Sequence, residues 1–117
     1  MPELKVKIIA DNPMLLKDIF KEDNPAPESK IKITEGIDLV HKYHIVRQGF
    51  VDSGVIINFM LTIGAGVATN FLSTWLLDKI KDNKVHIEIN GESVITISKD
   101  NIEKIIVKTI NESNADQ

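Results

Sequence analysis

Gly54-Val-Ile-Ile-Asn-Phe-Met-Leu-Thr-Ile-Gly-Ala-Gly-Val-Ala-Thr-Asn-Phe-Leu-Ser-Thr-Trp-Leu-Leu77 carries no charged side chain, in a chain of 117 residues of which 26% are charged. On a helical wheel Asn58, Thr62, Ala65, Gly66, Thr69 and Ser73 share one narrow face, with Asn70 beside it. Ile57, Met60, Ile63, Val67, Phe71 and Trp75 take the opposite side, as in an amphipathic helix. The spacing predicts a long central helix over 54–77 with its apolar side on a sheet. A solvated face would normally carry Lys and Glu, and this one has neither. A stripe of small uncharged residues suits close approach by another helix. Asn58, Thr62, Gly66, Thr69, Asn70 and Ser73 are therefore the expected interface, for self-association or for a docking protein.

Two other readings use the same residues. The stretch is long enough to span a bilayer, which takes about 20 residues, and a membrane-acting effector would insert it. Alternatively, Val55 to Ile63 is a strand and Gly64-Ala-Gly66-Val-Ala-Thr69 matches the first two glycines of a dinucleotide fingerprint, with Glu88 downstream for a ribose contact. That chemistry needs backbone amides around a pyrophosphate at a helix start. The chain is too short for two mononucleotide-binding halves, and the segment carrying Glu88 turns straight into a hairpin.

Outward from this stretch the elements are shorter. Leu4, Val6 and Ile8 alternate with Lys5 and Lys7, a half-buried strand; no apolar run with a cleavage site precedes it, so no secretory leader is expected. Asn12-Pro13 starts a helix over 13–22, with Asn12 as cap, and Asn24-Pro-Ala-Pro27 breaks it. Ile31 and Ile33 mark a second strand. Glu35 to Ser53 fits both helix and strand, with Gly49 and Gly54 at its end, and supports no single assignment.

Lys84 to Ile89 and Ser93 to Ile97 flank Asn90-Gly91, a hairpin signal. A two-residue turn pairs Ile87 with Val94 and puts Ile95 opposite His86. A longer turn or a bulge gathers the isoleucines on one face, and hydrophobic register favours it. Asp100 and Glu103 form a capping box for a last helix whose Ile102, Ile105, Ile106 and Ile110 share a face. The expected fold is α+β, a small single-layer sheet with a C-terminal β-hairpin, packed by the long central helix and a C-terminal helix, in the order β-α-β-α-β-β-α. Residues 1–110 form one domain and 111–117 a frayed polar tail.

The composition narrows the chemistry. Seventeen acids against fourteen bases and a net charge of −3 give no basic face for nucleic acid. The absence of cysteine removes disulfides, thiolate zinc sites and thiol nucleophiles. His41 and His44 are three apart, with His86 and Asp38 as conceivable further ligands, but no metal pattern is completed. Asp52-Ser53 and Ser73-Thr74 lack a nucleophile elbow, and Glu88, Glu92, Asp78 and Asp82 read as solvated edges. No catalytic constellation, metal or cofactor is expected.

The small-residue run Ile63-Gly-Ala-Gly-Val-Ala68, then Ser73-Thr-Trp-Leu-Leu77, the strands Lys84 to Ile89 and Val94 to Ile97 around Gly91, and a closing helix resemble the effector-associated constant component family. The front strand, Leu4 to Ile9, followed by a helix agrees with that pattern. The family has an arginine-rich stretch after the tryptophan, where this chain has Asp78-Lys-Ile-Lys-Asp82, and Glu35 to Ser53 has no counterpart. The resemblance implies a non-enzymatic adaptor in a bacterial defence or conflict system and supplies no catalytic residues; a cytoplasmic location is expected.

Overall fold

The computed structural model describes residues 3–47, 54–64, 66, 69–81 and 83–115, the side chains of 113–115 apart. Gly49, the Asp52-Ser53 hydroxyl, Ala65, Val67, Ala68 and Asp82 of the sequence reading therefore lie outside the described residues. The elements are β1 (Glu3–Ala10), α1 (Leu15–Phe20), β2 (Lys30–Thr34), β3 (Ile37–Arg47), β4 (Gly54–Ile63), α2 (Thr69–Ile80), β5 (Val85–Ile89), β6 (Glu92–Ser93) and α3 (Lys99–Ala115). The strands form one antiparallel sheet in the order β2-β3-β4-β1-β5-β6. The chain is an α+β protein with the expected single-layer sheet and C-terminal helix.

The helix expected over 54–77 is two elements. Gly54–Ile63 is a strand, paired along its length with β1 on one side and β3 on the other. Val55, Ile57, Phe59, Leu61 and Ile63 are buried while Ile56, Asn58, Met60 and Thr62 are half-buried, the period of two that a pleated strand imposes. Gly66 then turns the chain at φ +80, a conformation glycine adopts freely, and α2 begins at Thr69. Its Leu72, Ser73, Leu76 and Ile80 are buried, a second amphipathic pattern with a different period. An uncharged run can thus hold a buried strand and a helix face in succession.

Because β4 and β5 are both antiparallel to β1, they run in the same direction with β1 between them, and α2 is the crossover. The apolar sides of α1, α2 and α3 join the inward residues of the sheet in one core: Leu15, Ile19 and Phe20; Leu72, Leu76 and Ile80; Ile102 and Ile106. The stretch that fits no single element from sequence is mostly β3, and a bulge between His41 and Tyr43 explains why. Ile37, Leu39 and His41 face the core, and the extra residue shifts the alternation from there on.

The hairpin turn has two residues, not more. Glu88 pairs with Ser93 and Ile89 with Glu92; Asn90 at φ 52 and Gly91 at φ 81 are the two left-handed residues of a type I′ turn. β6 stops at Ser93, Val94 stays in the core through its N–H donating to the Ile87 carbonyl at 3.0 Å, and Ile95 is left 91% exposed. Asn90 outweighs the lost isoleucine. Its N–H donates to the Lys5 carbonyl at 2.7 Å, its Oδ1 accepts from the Lys5 N–H at 2.8 Å and its Nδ2 donates to Thr109 Oγ1 at 2.9 Å, tying turn, β1 and α3 together. The cap of α3 is also displaced from the expected Asp100 to Ser98, whose Oγ accepts from the Asn101 N–H at 3.2 Å. Asn12 Oδ1 accepts from the Met14 N–H at 3.0 Å in the turn before α1, but the helix is capped at Met14 without a side-chain bond and runs only Leu15–Phe20, so neither the expected Asn12 cap nor the span 13–22 holds.

Gly54 is set by space, since a Cβ built there would collide with the backbone carbonyl of Ala10. Gly54→Ala should destabilise the protein by about 1–3 kcal/mol, read as a lower urea midpoint with an unchanged slope; an unchanged midpoint would mean that β1 and β4 do not meet this closely.

Candidate functional site

The predicted interface residues do not share a face. Asn58 and Thr62 lie on β4, on the side of the sheet that none of the described helices covers, and Gly66 is in the exposed turn. Thr69 and Asn70 open α2, where Thr69 Oγ1 donates to Glu103 Oε1 at 3.4 Å. Ser73 is fully buried and its hydroxyl donates to the Asn70 carbonyl at 3.1 Å, so it is a core residue and contacts nothing outside the fold.

The uncovered face carries a feature that helical reading conceals. Strand register places Ile45 opposite Ile56, Ile56 opposite Ile9 and Ile9 opposite His86. Three isoleucines thus line up across three adjacent strands, with Ile45 51% exposed at the end of the row. The next row holds Tyr43, Asn58, Lys7 and Glu88, and the one beyond it Val40, Met60 and Lys5. Charges flank the apolar rows: Lys7 and Glu88 approach to 4.0 Å and Lys30 and Asp38 to 3.5 Å. Such exposed pairs contribute little stability. Antiparallel sheets with one wet face usually alternate apolar-in with polar-out, so a row of isoleucines on the wet side departs from that pattern. The signal in the sequence is the phase of β-branched residues within three separate strands.

On the covered side His41 and His44 meet. Three residues apart on a regular strand they would face opposite ways, and the bulge at Lys42 brings both to the core side. His41 is 1% exposed, edge-on to Phe20 with ring centroids 5.0 Å apart. Its Nδ1 lies 2.9 Å from the Ala26 carbonyl, which can only accept, so Nδ1 carries the hydrogen. Its Nε2 lies 2.9 Å from His44 Nδ1 and accepts from it when both rings are neutral. Burial, and then the neighbouring His41, hold the His44 pKa below the ordinary 6.5. His86 lies on the opposite face, and Asp38 is paired with Lys30. Among the described residues no three potential metal ligands cluster.

The nucleotide reading has its strand, glycine turn and helix in the right order, but its charges oppose it. Glu103 stands at the start of α2, where a phosphate would need to bind. Glu88 is on the uncovered face beside Lys7, away from the helix layer. A hollow of about 700 Å³ follows α3 past Glu103, Val107 and Asn111, and the described residues around it all belong to that helix. The depression that includes Asn58, Lys7 and Glu88 is about 250 Å³, smaller than most ligand sites. No helix among the described residues is long and apolar enough to cross a membrane, and the 54–77 helix that insertion requires is a strand, a turn and a shorter helix. Comparison with protein-family models, curated proteins and solved structures finds no match for this chain.

The histidine pair gives a pH dependence whose sign is fixed. Folded His44 binds a proton less tightly than the unfolded chain does, so its contribution to stability is present above pH 6.5 and is lost as the pH falls below that value toward the folded pKa. Urea denaturation at pH 7.5 and 5.5 should show a smaller acid loss for His44→Gln than for the unsubstituted protein; equal losses would show that His44 is not the titrating group.

Proposed function

We propose that this chain is a non-catalytic protein-interaction module, an adaptor that docks through the uncovered face of its sheet. The observation that carries the reading is the row Ile45–Ile56–Ile9, apolar and uncovered in a sheet whose other face already holds the core. Apolar surface set in a polar rim is what protein interfaces present at their centres. The charged side chains at the edges of the row, Lys7, Glu88 and Arg47, would supply that rim.

The uncharged stretch keeps its part in the interface under this reading, through a strand instead of a helix. Asn58 stays beside the contact surface in the neighbouring row, whereas Ser73 leaves it and Thr62, Gly66, Thr69 and Asn70 sit toward the other end of β4. The likeness to the effector-associated constant component family adds a setting, an accessory component of a cytoplasmic bacterial defence or conflict system. Nothing in the geometry favours the membrane-acting or nucleotide-binding alternatives over this one.

The test is Ile56→Lys, in the middle of the row. A lysine can lay its stem along the sheet and hold its ammonium in water, so the fold should survive, with a melting temperature within several degrees of the unsubstituted protein. Light scattering after size exclusion, in detergent-free buffer, should show loss of assembly with itself or with a purified genomic-neighbour protein. A folded Ile56→Lys variant that assembles as the unsubstituted protein does would move the interface elsewhere.

A further inference from the structure

We propose that the β3 segment Tyr43–Arg47 pairs edge to edge with the same segment of a second copy of this chain, joining two sheets across a two-fold axis. The inference rests on the interaction-module reading above and names its partner. β3 runs from Ile37 to Arg47, but β2 pairs only with Ile37–Val40. The chain before β2 extends the cover by one residue, with the Glu28 N–H donating to the His41 carbonyl at 2.8 Å and the His41 N–H to the Ser29 carbonyl at 2.9 Å. Among the described residues nothing beyond β4 bonds to the backbone of Tyr43–Arg47.

The two outermost strands are protected in recognised ways. β2 places Lys30 and Lys32 on its edge and has an irregular register between Lys32 and Thr34; β6 is only two residues long. Charge, irregularity and shortness each discourage pairing with another chain. Tyr43–Arg47 follows the bulge as a regular run paired with β4 at every residue, has no charge in its first four residues and exposes Tyr43, Ile45 and Val46.

The occupant follows from self-complementarity. In an antiparallel pair centred on Ile45, Ile45 meets itself, His44 meets Val46 and Tyr43 meets Arg47, so no like charges stand opposite each other. A two-fold axis perpendicular to the sheet keeps both uncovered faces on one side, as an isologous contact requires. The apolar row of one copy, Ile9–Ile56–Ile45, then continues directly into that of the other. A shift by one residue breaks this alignment, so the register is specified along with the partner. The strand contact is small, below the ~1,200 Å² of standard interfaces, and the dimer should be reversible and depend on concentration.

The chain has no cysteine, so one introduced thiol reports one contact. Directly opposed residues in antiparallel strands have Cα atoms about 4.5–5.5 Å apart, within disulfide range. Under mild oxidation Ile45→Cys should form covalent dimer at least tenfold faster than Ile9→Cys or His44→Cys, each variant first shown to be folded by its melting temperature. Amide exchange at 43–47 in the unsubstituted protein should slow as concentration rises. Cross-linking of Ile45→Cys no faster than of His44→Cys overturns the register and with it the proposal. Faster cross-linking of Ile9→Cys means stacked faces, which overturns edge pairing and preserves the interaction module. A scattering mass equal to one chain at every concentration also overturns self-pairing, and the Ile56→Lys experiment with a different protein then decides the broader reading separately.

Discussion

The two ladders of β4 place everything else in this fold. Its partners β1 and β3 pair with it over nearly its whole length, so the inward Val55, Ile57, Phe59, Leu61 and Ile63 determine which side of three strands faces the helices. At the foot of that strand Gly54 admits the Ala10 carbonyl where no side chain would fit. At its top Gly66 reverses the chain and lets α2 lie over the inward residues. The lack of charge from 54 to 77 follows from position. Central strands are screened by neighbours on both sides, and the first turns of α2 face the core through Leu72 and Ser73.

One extra residue in β3 has consequences on both faces. The bulge at Lys42 turns His44 inward to meet His41, and the same half-turn sends Tyr43 and Ile45 outward. Without it Ile45 would face the helix layer and the uncovered row would end at Ile56. The histidine pair and the apolar row therefore depend on a single irregularity, and the loop carrying Ala26 is held to β3 at the same place by His41 Nδ1.

Much of the fold was legible in the chain because local signals and tertiary position agree there. The alternation of Leu4, Val6 and Ile8, the prolines at 25 and 27, Asn90-Gly91 and the isoleucine face of α3 all act within a few residues of themselves. The misreadings arise where tertiary context decides. A continuous apolar run has no single period, so the strand 54–63 and the helix 69–80 merged into one expected helix. The bulge erased the alternation of β3, the longest strand. The turn at Asn90 was settled by bonds to Lys5 and Thr109, which are distant in sequence, and against the hydrophobic pattern that would have sheltered Ile95. For the site, residue types were legible but their grouping was not: Ile9, Ile45 and Ile56 become one row only after strand order and register are known.

The placement of charge argues that the outward isoleucines are not a leftover of sheet formation. This chain has the means to protect sheet surface and uses them: lysines occupy the outward positions of β1 at 5 and 7 and of β2 at 30 and 32, and Asp38 and Glu88 partner two of them. The outward positions at 9, 45 and 56 were open to the same residues at no cost to the core, because none of them touches it. Polar substitution there would have improved solubility, and an exposed apolar row gains nothing for an isolated monomer. Charged rows beside an apolar row that runs to an edge unpaired among the described residues give the proposed docking face the polar rim and apolar centre of a protein interface.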